Sequence, residues 1–225
     1  MHPGVVELAP SAYHTMLVRQ DGSVWSTGVY SDDRRTSFVQ IFSKGATAAA
    51  AGNYYSIVIF QDASVWITGK DSQGQLSFFD GSTTSKASFS KVKITPGAKA
   101  VAAGGYHCII LTQVGHVWAV GWNKYGQLGN EITEDKTTFV KVMHSGAKAV
   151  AAGDAHSMVA NEDGSVWSTG RNANGQLGDG SKTDRSSFVR VMPSGAAVVV
   201  AGGHHSMILM QDGSVCTTGW NEYGQ

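Results

Sequence analysis

The chain has little charge, little proline and almost no cysteine. Asp, Glu, Lys and Arg make up 15% of its 225 residues, against about a quarter in an average globular chain. The 17 basic and 17 acidic residues cancel. A disordered charged tail needs high net charge and few apolar residues, which excludes that class. A net basic face, the footprint of nucleic acid or anionic lipid, is not expected either. No run of 18 apolar residues is present, so no membrane insertion is expected. The opening Met1-His2-Pro3-Gly4 has neither a basic region nor an apolar run, so a signal peptide is not expected and an intracellular location is favoured. Two cysteines, Cys108 and Cys216, make no disulfide framework; each sits in an apolar strand pattern and is expected to be a reduced core residue.

What the chain does have is repetition. Trp-x-x-Gly recurs at Trp25–Gly28, Trp66–Gly69, Trp118–Gly121 and Trp167–Gly170, with Cys216 in the Trp place of a fifth copy ending at Gly219. The first positions are 41, 52, 49 and 49 residues apart. Eleven residues upstream of each stands His14, Tyr55, His107, His156 or His205. An Ala-Gly pair keeps the same register at 51–52, 103–104, 152–153 and 201–202. So does an aromatic with a following Val: Phe38-Val39, Phe89 with Val92, Phe139-Val140 and Phe188-Val189. A period near 50 residues belongs to propeller blades and some solenoids.

One unit, residues 139–170, reads as four short strands: 139–142, 149–153, 156–160 and 166–170. Asp163-Gly164 marks a hairpin, because the Gly accepts the positive φ of a tight turn. Asp21-Gly22 and Asp212-Gly213 repeat it, Asp62-Ala63 is expected to be strained, and Val114-Gly115-His116 suggests a different turn. Ala-rich runs such as 47–51 have helix propensity, but five or six residues ending at Gly are too few to hold a helix. They suit the innermost strand of a blade. The fold class is therefore all-β: a propeller of four-stranded, roughly 50-residue blades. The units run at about 5–28, 38–69, 89–121, 139–170 and 188–219.

The segments 151–158 (AAGDAHSM), 163–170 (DGSVWSTG) and 174–178 (NGQLG) resemble the repeat of the regulator of chromosome condensation family. The resemblance extends from about Leu8 to Gln225. It implies a propeller, usually of seven blades, of which this chain carries four and a half units. The first unit lacks its leading strand and the Gly-Gln-Leu motif. The expectation is therefore an incomplete part of a seven-bladed ring, a fragment or the ordered part of a longer chain, with a smaller closed ring or a ring assembled from two chains as the alternative; an open end would be exposed to self-association or capping. Family members bind small GTPases, chromatin or secreted enzymes.

The His ladder (His14, His107, His156, His205) places one residue per blade, too far apart for shared metal ligation; a buried His bonded to backbone is expected. The four Trp anchors are expected to pack between blades. The Gly-Gln-Leu-Gly loops lack the Lys-Ser/Thr of a phosphate loop. No catalytic, cofactor or metal set stands out. Charged residues of the long loops, and the two Trp residues where a loop leaves the blade, are the better candidates for contact with a protein partner. They are Asp32, Asp33, Arg34 and Arg35 in the first long loop; Trp122, Glu131, Glu134 and Asp135 in the third; Lys182, Asp184 and Arg185 in the fourth; and Trp220 in the last. The expected function is a non-enzymatic module presenting a propeller face to a protein. The alternatives are a guanine-nucleotide exchange or chromatin-binding regulator, a structural subunit of a large assembly, and a propeller hydrolase or lyase built on a carboxylate pair such as Asp32-Asp33 or Glu134-Asp135.

Overall fold

A computed structural model describes residues 4–30, 33–69, 86–92 and 94–224. Its regular elements are all strands, grouped in five antiparallel sheets. Sheet 1 holds β1 (Val5–Pro10), β2 (His14–Arg19), β3 (Val24–Tyr30) and β4 (Asp33–Phe42). Sheet 2 holds β5 (Ala46–Ala51), β6 (Tyr55–Phe60), β7 (Val65–Gly69) and β8 (Lys86–Val92). Sheet 3 holds β9 (Ala98–Ala103), β10 (His107–Thr112), β11 (Val117–Gly121) and β12 (Lys136–Met143). Sheet 4 holds β13 (Ala147–Ala152), β14 (His156–Asn161), β15 (Val166–Gly170) and β16 (Arg185–Met192). Sheet 5 has three strands, β17 (Ala196–Ala201), β18 (His205–Met210) and β19 (Val215–Gly219).

The hydrogen-bonded sheet is out of phase with the sequence repeat by one strand. The aromatic strand that heads each unit in the sequence pairs backwards, as β12 does with β11 and β16 with β15. Each blade therefore begins at its Ala-rich strand and ends at its Phe-Val strand, and sheet 1 is complete. In sheets 3 and 4 a long loop after the Trp strand brings the chain back antiparallel along the same edge, while a short Gly turn carries it to the next blade.

Alternation along the strands builds a core between successive sheets. In β6, Tyr55, Ile57 and Ile59 face sheet 3, whereas Val58 packs against Met16, Val18 and Val24 of sheet 1. Ile109, Leu111 and Val117 meet Ala147 and Val159 between sheets 3 and 4. Met158, Ala160 and Val166 meet Ala196, Val199 and Ile208 between sheets 4 and 5. The Ala-rich strands are innermost, and backbone bonds link their ends around the axis: Asn53 N–H to Gly105 O, Gly105 N–H to Asp154 O, and Asp154 N–H to Gly203 O, at 3.1–3.2 Å. Only small side chains permit that approach, so tertiary packing overrides the helix propensity of alanine.

Two expectations need correction. Cys108 is buried, but Cys216 is exposed, because it lies on β19, whose outer edge is unpaired among the described residues. The turn at Val114-Gly115-His116 is the same turn as in the other blades: Gly115 adopts φ 77° beside 76° at Gly164. Thr112 Oγ1 accepts the His116 N–H at 3.1 Å where an Asp carboxylate does this elsewhere. Ala63 is held at φ 58°, the left-handed region that costs an alanine strain. The Trp anchors are half-buried. Trp25, Trp66 and Trp167 each donate their indole N–H to a Ser two residues earlier at 3.1–3.2 Å. Trp118 has His116 there, and its indole N–H is buried without a protein partner.

Candidate functional site

The His ladder forms bonds between blades rather than to its own backbone. Nε2 of His14, His107 and His156 lies 2.8, 2.8 and 2.9 Å from the hydroxyl of Ser56, Ser157 and Ser206 in the next sheet. Ser157 Oγ donates to Gln127 O, and Ser206 Oγ to Gln176 O, both at 2.7 Å. With that proton committed, His107 and His156 must be the donors, so each is the Nε2–H tautomer. Their Nδ1 atoms are buried with no protein partner. Burial pushes His107 down to about 3, helped by nearby His156, and His156 down to about 4, helped by His204 and His205. Both are neutral in the fold. In sheet 2 the anchor is Tyr55, whose hydroxyl donates to Gly104 O at 3.1 Å and to His107 O.

The Gly-Gln-Leu-Gly loops are braced from within. Asn123 Nδ2 donates to Asn130 Oδ1 and to the carbonyls of Ile132 and Glu134 at 2.9–3.0 Å, while its Oδ1 accepts from Leu128 N. Asn172 repeats this with Asp179, Ser181, Thr183 and Leu177. Burial pushes the Asp179 carboxyl up, but hydrogen bonds from Ser181, Arg185 and Asn172 outweigh it and hold the group at about 2.

The turns after the innermost strands of all five sheets line a depression of about 350 Å³ on the axis, with Asn53, Gly105, Asp154 and Gly203 at its mouth. The residue before each anchor stands beside it. Tyr13 and Tyr54 stack, with ring centroids 4.4 Å apart and planes at 18°. A hydrogen bond with Tyr13 pushes Tyr54 up to about 12. Trp122 N–H donates to Tyr106 O, and Trp220 N–H to His204 O, both at 2.9 Å, which seats each Trp next to the turn. Trp122 meets Tyr106 and Tyr125 edge-on at 6.0 and 5.4 Å. Trp220 meets His204 and Tyr223 edge-on at 6.0 and 5.2 Å. Arg171 lies 5.1 Å over Tyr125. Among the described residues no group of three metal-ligating side chains is found.

The residues expected from the sequence divide. Trp122 and Trp220 join this aromatic end. Asp135 and Asp184 are exposed, yet each accepts a backbone N–H, from Asn123 at 2.8 Å and Asn172 at 2.7 Å, and so braces its loop. Arg185 pairs with Asp179 at 2.7 Å. Glu131 sits at φ 70° and donates its N–H to Ser186 O. Glu134, Lys182 and Arg34 are exposed, and Arg35 is half-buried opposite Gly28. Asp32 and the side chain of Asp33 lie outside the described residues, as does the loop with Gly74-Gln75-Leu76. Sequence reasoning missed Tyr13, Tyr54, Tyr106, Tyr125 and Tyr223. The signal for Tyr13, Tyr54 and Tyr106 is the place before the anchor, which varies as Tyr, Tyr, Tyr, Ala, His while the anchor stays nearly fixed; Tyr125 and Tyr223 stand instead just before the Gly-Gln of the loop motif.

No curated protein sequence matches the chain. Solved structures do. Human WBSCR16 superposes with TM-score 0.83 at 19% identity, over 94% of this chain and 59% of that one. The structure of Kap60 bound to yeast RCC1 (Prp20) gives 0.84 at 21%, over 97% and 56%. Prp20p from Saccharomyces cerevisiae, described with its binding to Gsp1p and histones, gives 0.80 at 23%, over 97% and 57%. The chain thus spans less than two thirds of these structures' length, and the likeness is one of fold. Two models of the regulator of chromosome condensation (RCC1) repeat match, one at residues 98–127, 147–176 and 197–225, the other at 114–160 and 163–209. Together they run unbroken from 98 to 225, more than half the sequence, and the chain belongs to the RCC1 repeat family.

Proposed function

We propose that the chain is a non-enzymatic protein-interaction module that presents its loop end, around the axial depression, to a protein partner. The observation that carries this reading is the clustering of Tyr13–Tyr54, Tyr106–Trp122–Tyr125 and His204–Trp220–Tyr223 at that end. Tyr13 and Tyr223 are exposed and the others half-buried; such aromatics on a rigid frame offer large contact area at low entropic cost, the chemistry of interface hot spots. Of the structurally similar propellers, yeast RCC1 (Prp20) is seen bound to Kap60 and Prp20p is described with its binding to Gsp1p and histones, which makes a small GTPase and a core histone the first two to test. Purified chain is titrated against each by interferometry, beside a Trp122→Ala/Trp220→Ala variant and a Lys91→Ala variant at the opposite end. Binding that the double variant loses and Lys91→Ala keeps supports the reading. Binding indifferent to the loop end, or none to either protein, sinks it. Guanine-nucleotide exchange is the finer alternative, and faster release of fluorescent GDP from the GTPase is its measurement.

A further inference from the structure

The end of the propeller opposite the axial depression carries the hairpin turns, and there the Trp anchor of sheet 2 differs from its neighbours. In sheet 1 the guanidinium of Arg19 lies 4.4 Å over the Trp25 ring, and in sheet 3 the ammonium of Lys141 lies 5.2 Å over Trp118. The Trp face in those blades thus takes a cation from the chain itself. In sheet 2 both sources are diverted. The place of Arg19, last in the second strand, is taken by Phe60. Lys91 stands opposite Trp66 as Lys141 stands opposite Trp118, but its Nζ pairs with Asp62 of the turn at 3.2 Å. Sheet 3 has Val114 where sheet 2 has Asp62, so Lys141 has no such carboxylate to reach. Among the described residues no cation lies over Trp66.

A corner of rings stands there instead. Phe42, at the end of β4, meets Phe60 edge-on at 5.0 Å with planes at 87°, and the two meet Trp66 edge-on at 6.3 and 6.0 Å. Phe89 backs Phe42 at 4.9 Å. Ser64 Oγ accepts the Trp66 indole N–H at 3.1 Å, which fixes that ring. Phe42, Phe60 and Trp66 are half-buried and, with the exposed Asp62, line a cavity of about 410 Å³. At the places of Phe42 and Phe60, Trp118 has Val92 and Thr112, and Trp167 has Met143 and Asn161. We propose that this corner binds a methylated ammonium group, its charge against the faces of Trp66, Phe42 and Phe60 and beside the Asp62 carboxylate. The cations over Trp25 and Trp118 define the charge, and the added rings define the methyl groups. A bare ammonium is strongly hydrated and needs acceptors for its N–H groups, whereas Asp62 already receives Lys91 and the Ser64 N–H. A trimethylammonium has no N–H to satisfy, and its methyl groups pack on the rings. The inference stands apart from the loop end discussed above.

Such a group arrives on a free small molecule or on a methylated lysine side chain, so two probes are used: choline, and a Gly-Lys-Gly peptide with its lysine trimethylated. Each is titrated into the chain while the indole N–H resonances are followed by NMR, that of Trp66 being assigned by its loss in Trp66→Phe. A saturable shift of the Trp66 resonance is expected. The neutral isostere of choline, with a tert-butyl group in place of trimethylammonium, should bind at least about fivefold more weakly, the worth of one cation–π contact. Phe60→Leu keeps the bulk and removes a ring, and should weaken choline binding by about the same factor. Lys91→Ala should bind at least as tightly as the parent chain, because it leaves Asp62 free. Asp62→Asn should bind more weakly, because the carboxylate is lost and Lys91 is released toward Trp66. Tighter binding of the peptide than of choline assigns the site to a protein side chain, the reverse to a small molecule, and both support the proposal. No saturable shift with either probe, an isostere that binds as well as choline, or equal effects of Lys91→Ala and Asp62→Asn overturns it. The isostere comparison uses the unaltered chain and therefore decides even where Phe60→Leu does not fold.

Discussion

Lowering the pH from 7 to 4.5 at constant ionic strength should unload the inter-blade histidines. His107 and His156 are neutral in the fold, near 3 and 4 because of burial, against about 6.5 in an unfolded chain. In that window the unfolded state binds more protons than the native one, so stability falls with pH. The stabilisation is complete above about 6.5 and is lost progressively as pH drops toward the folded values. At about 1.4 kcal/mol per pKa unit, each histidine gives up roughly 2.5 kcal/mol between pH 7 and 4.5. The pair loses about 5 kcal/mol, an amount comparable to the whole stability of many domains. His14, pushed down to about 4 by burial, acts in the same direction. Glu7 opposes them, since burial raises its pKa and protonation favours the fold; a Glu7→Gln background removes it. The carboxylates of Asp62 and Asp179, held at about 2, titrate below the window.

The physical cause is specific. Ser157 and Ser206 give their protons to Gln127 O and Gln176 O, so the histidines must donate from Nε2. A second proton would sit on a buried Nδ1 with no acceptor. Urea midpoints followed by circular dichroism at half-unit steps of pH measure the loss. NMR titration of the two imidazoles measures their pKa values directly. A midpoint flat between pH 6.5 and 4.5, or imidazoles titrating near 6.5, would refute the assignment of these residues as neutral donors.

Ser157→Ala leaves His107 Nε2–H and Gln127 O facing a methyl, and should cost about 1–3 kcal/mol; an unchanged urea midpoint rejects the latch. Ala63→Gly removes the strain at φ 58° and should stabilise by up to about 1 kcal/mol, the gain being trimmed by added freedom in the unfolded chain. His116→Ser gives the Trp118 indole the partner that the other three anchors have, and Tm should rise by roughly 2–4 °C, the worth of about one hydrogen bond in a chain of this size. Tyr55→His combined with Cys108→Ser should be less harmful than the sum of the two single changes by about 1 kcal/mol or more; additive costs in a double-mutant cycle exclude the pairing.

That cycle bears on how much of the structure the sequence displays. The frame is legible because it repeats. Five anchors, four Trp-x-x-Gly copies and the Asp-Gly turns place the strands, the hairpins and the small innermost residues. Which strands share a sheet is not legible, because the Phe-Val strands of sheets 3 and 4 lie nearer in sequence to the blade that follows than to the strand they pair with. Only the hydrogen bonds decide. The charged loop residues illustrate a second limit. Asp135 and Asp184 look like free surface charge, yet each accepts a backbone N–H of the Asn that braces its loop. A carboxylate twelve residues from its partner gives no local sign of that bond.

The partners of the histidines were present in the sequence but concealed by reading each unit alone. The place after each anchor reads Ser56, Cys108, Ser157 and Ser206. The anchors that reach into those sheets, from one blade earlier, are His14, Tyr55, His107 and His156. His is used wherever the next blade supplies a hydroxyl, and Tyr where it supplies Cys108. A thiol is a weak acceptor, so a Tyr hydroxyl reaching past it to the carbonyls of Gly104 and His107 satisfies the same gap. The two substitutions are about 50 residues apart in the chain and adjacent in space. In a repeat protein the neighbour that fixes a residue's chemistry is the next copy of the unit. Comparing position n with position n + 50 therefore recovers contacts that comparison within one unit cannot.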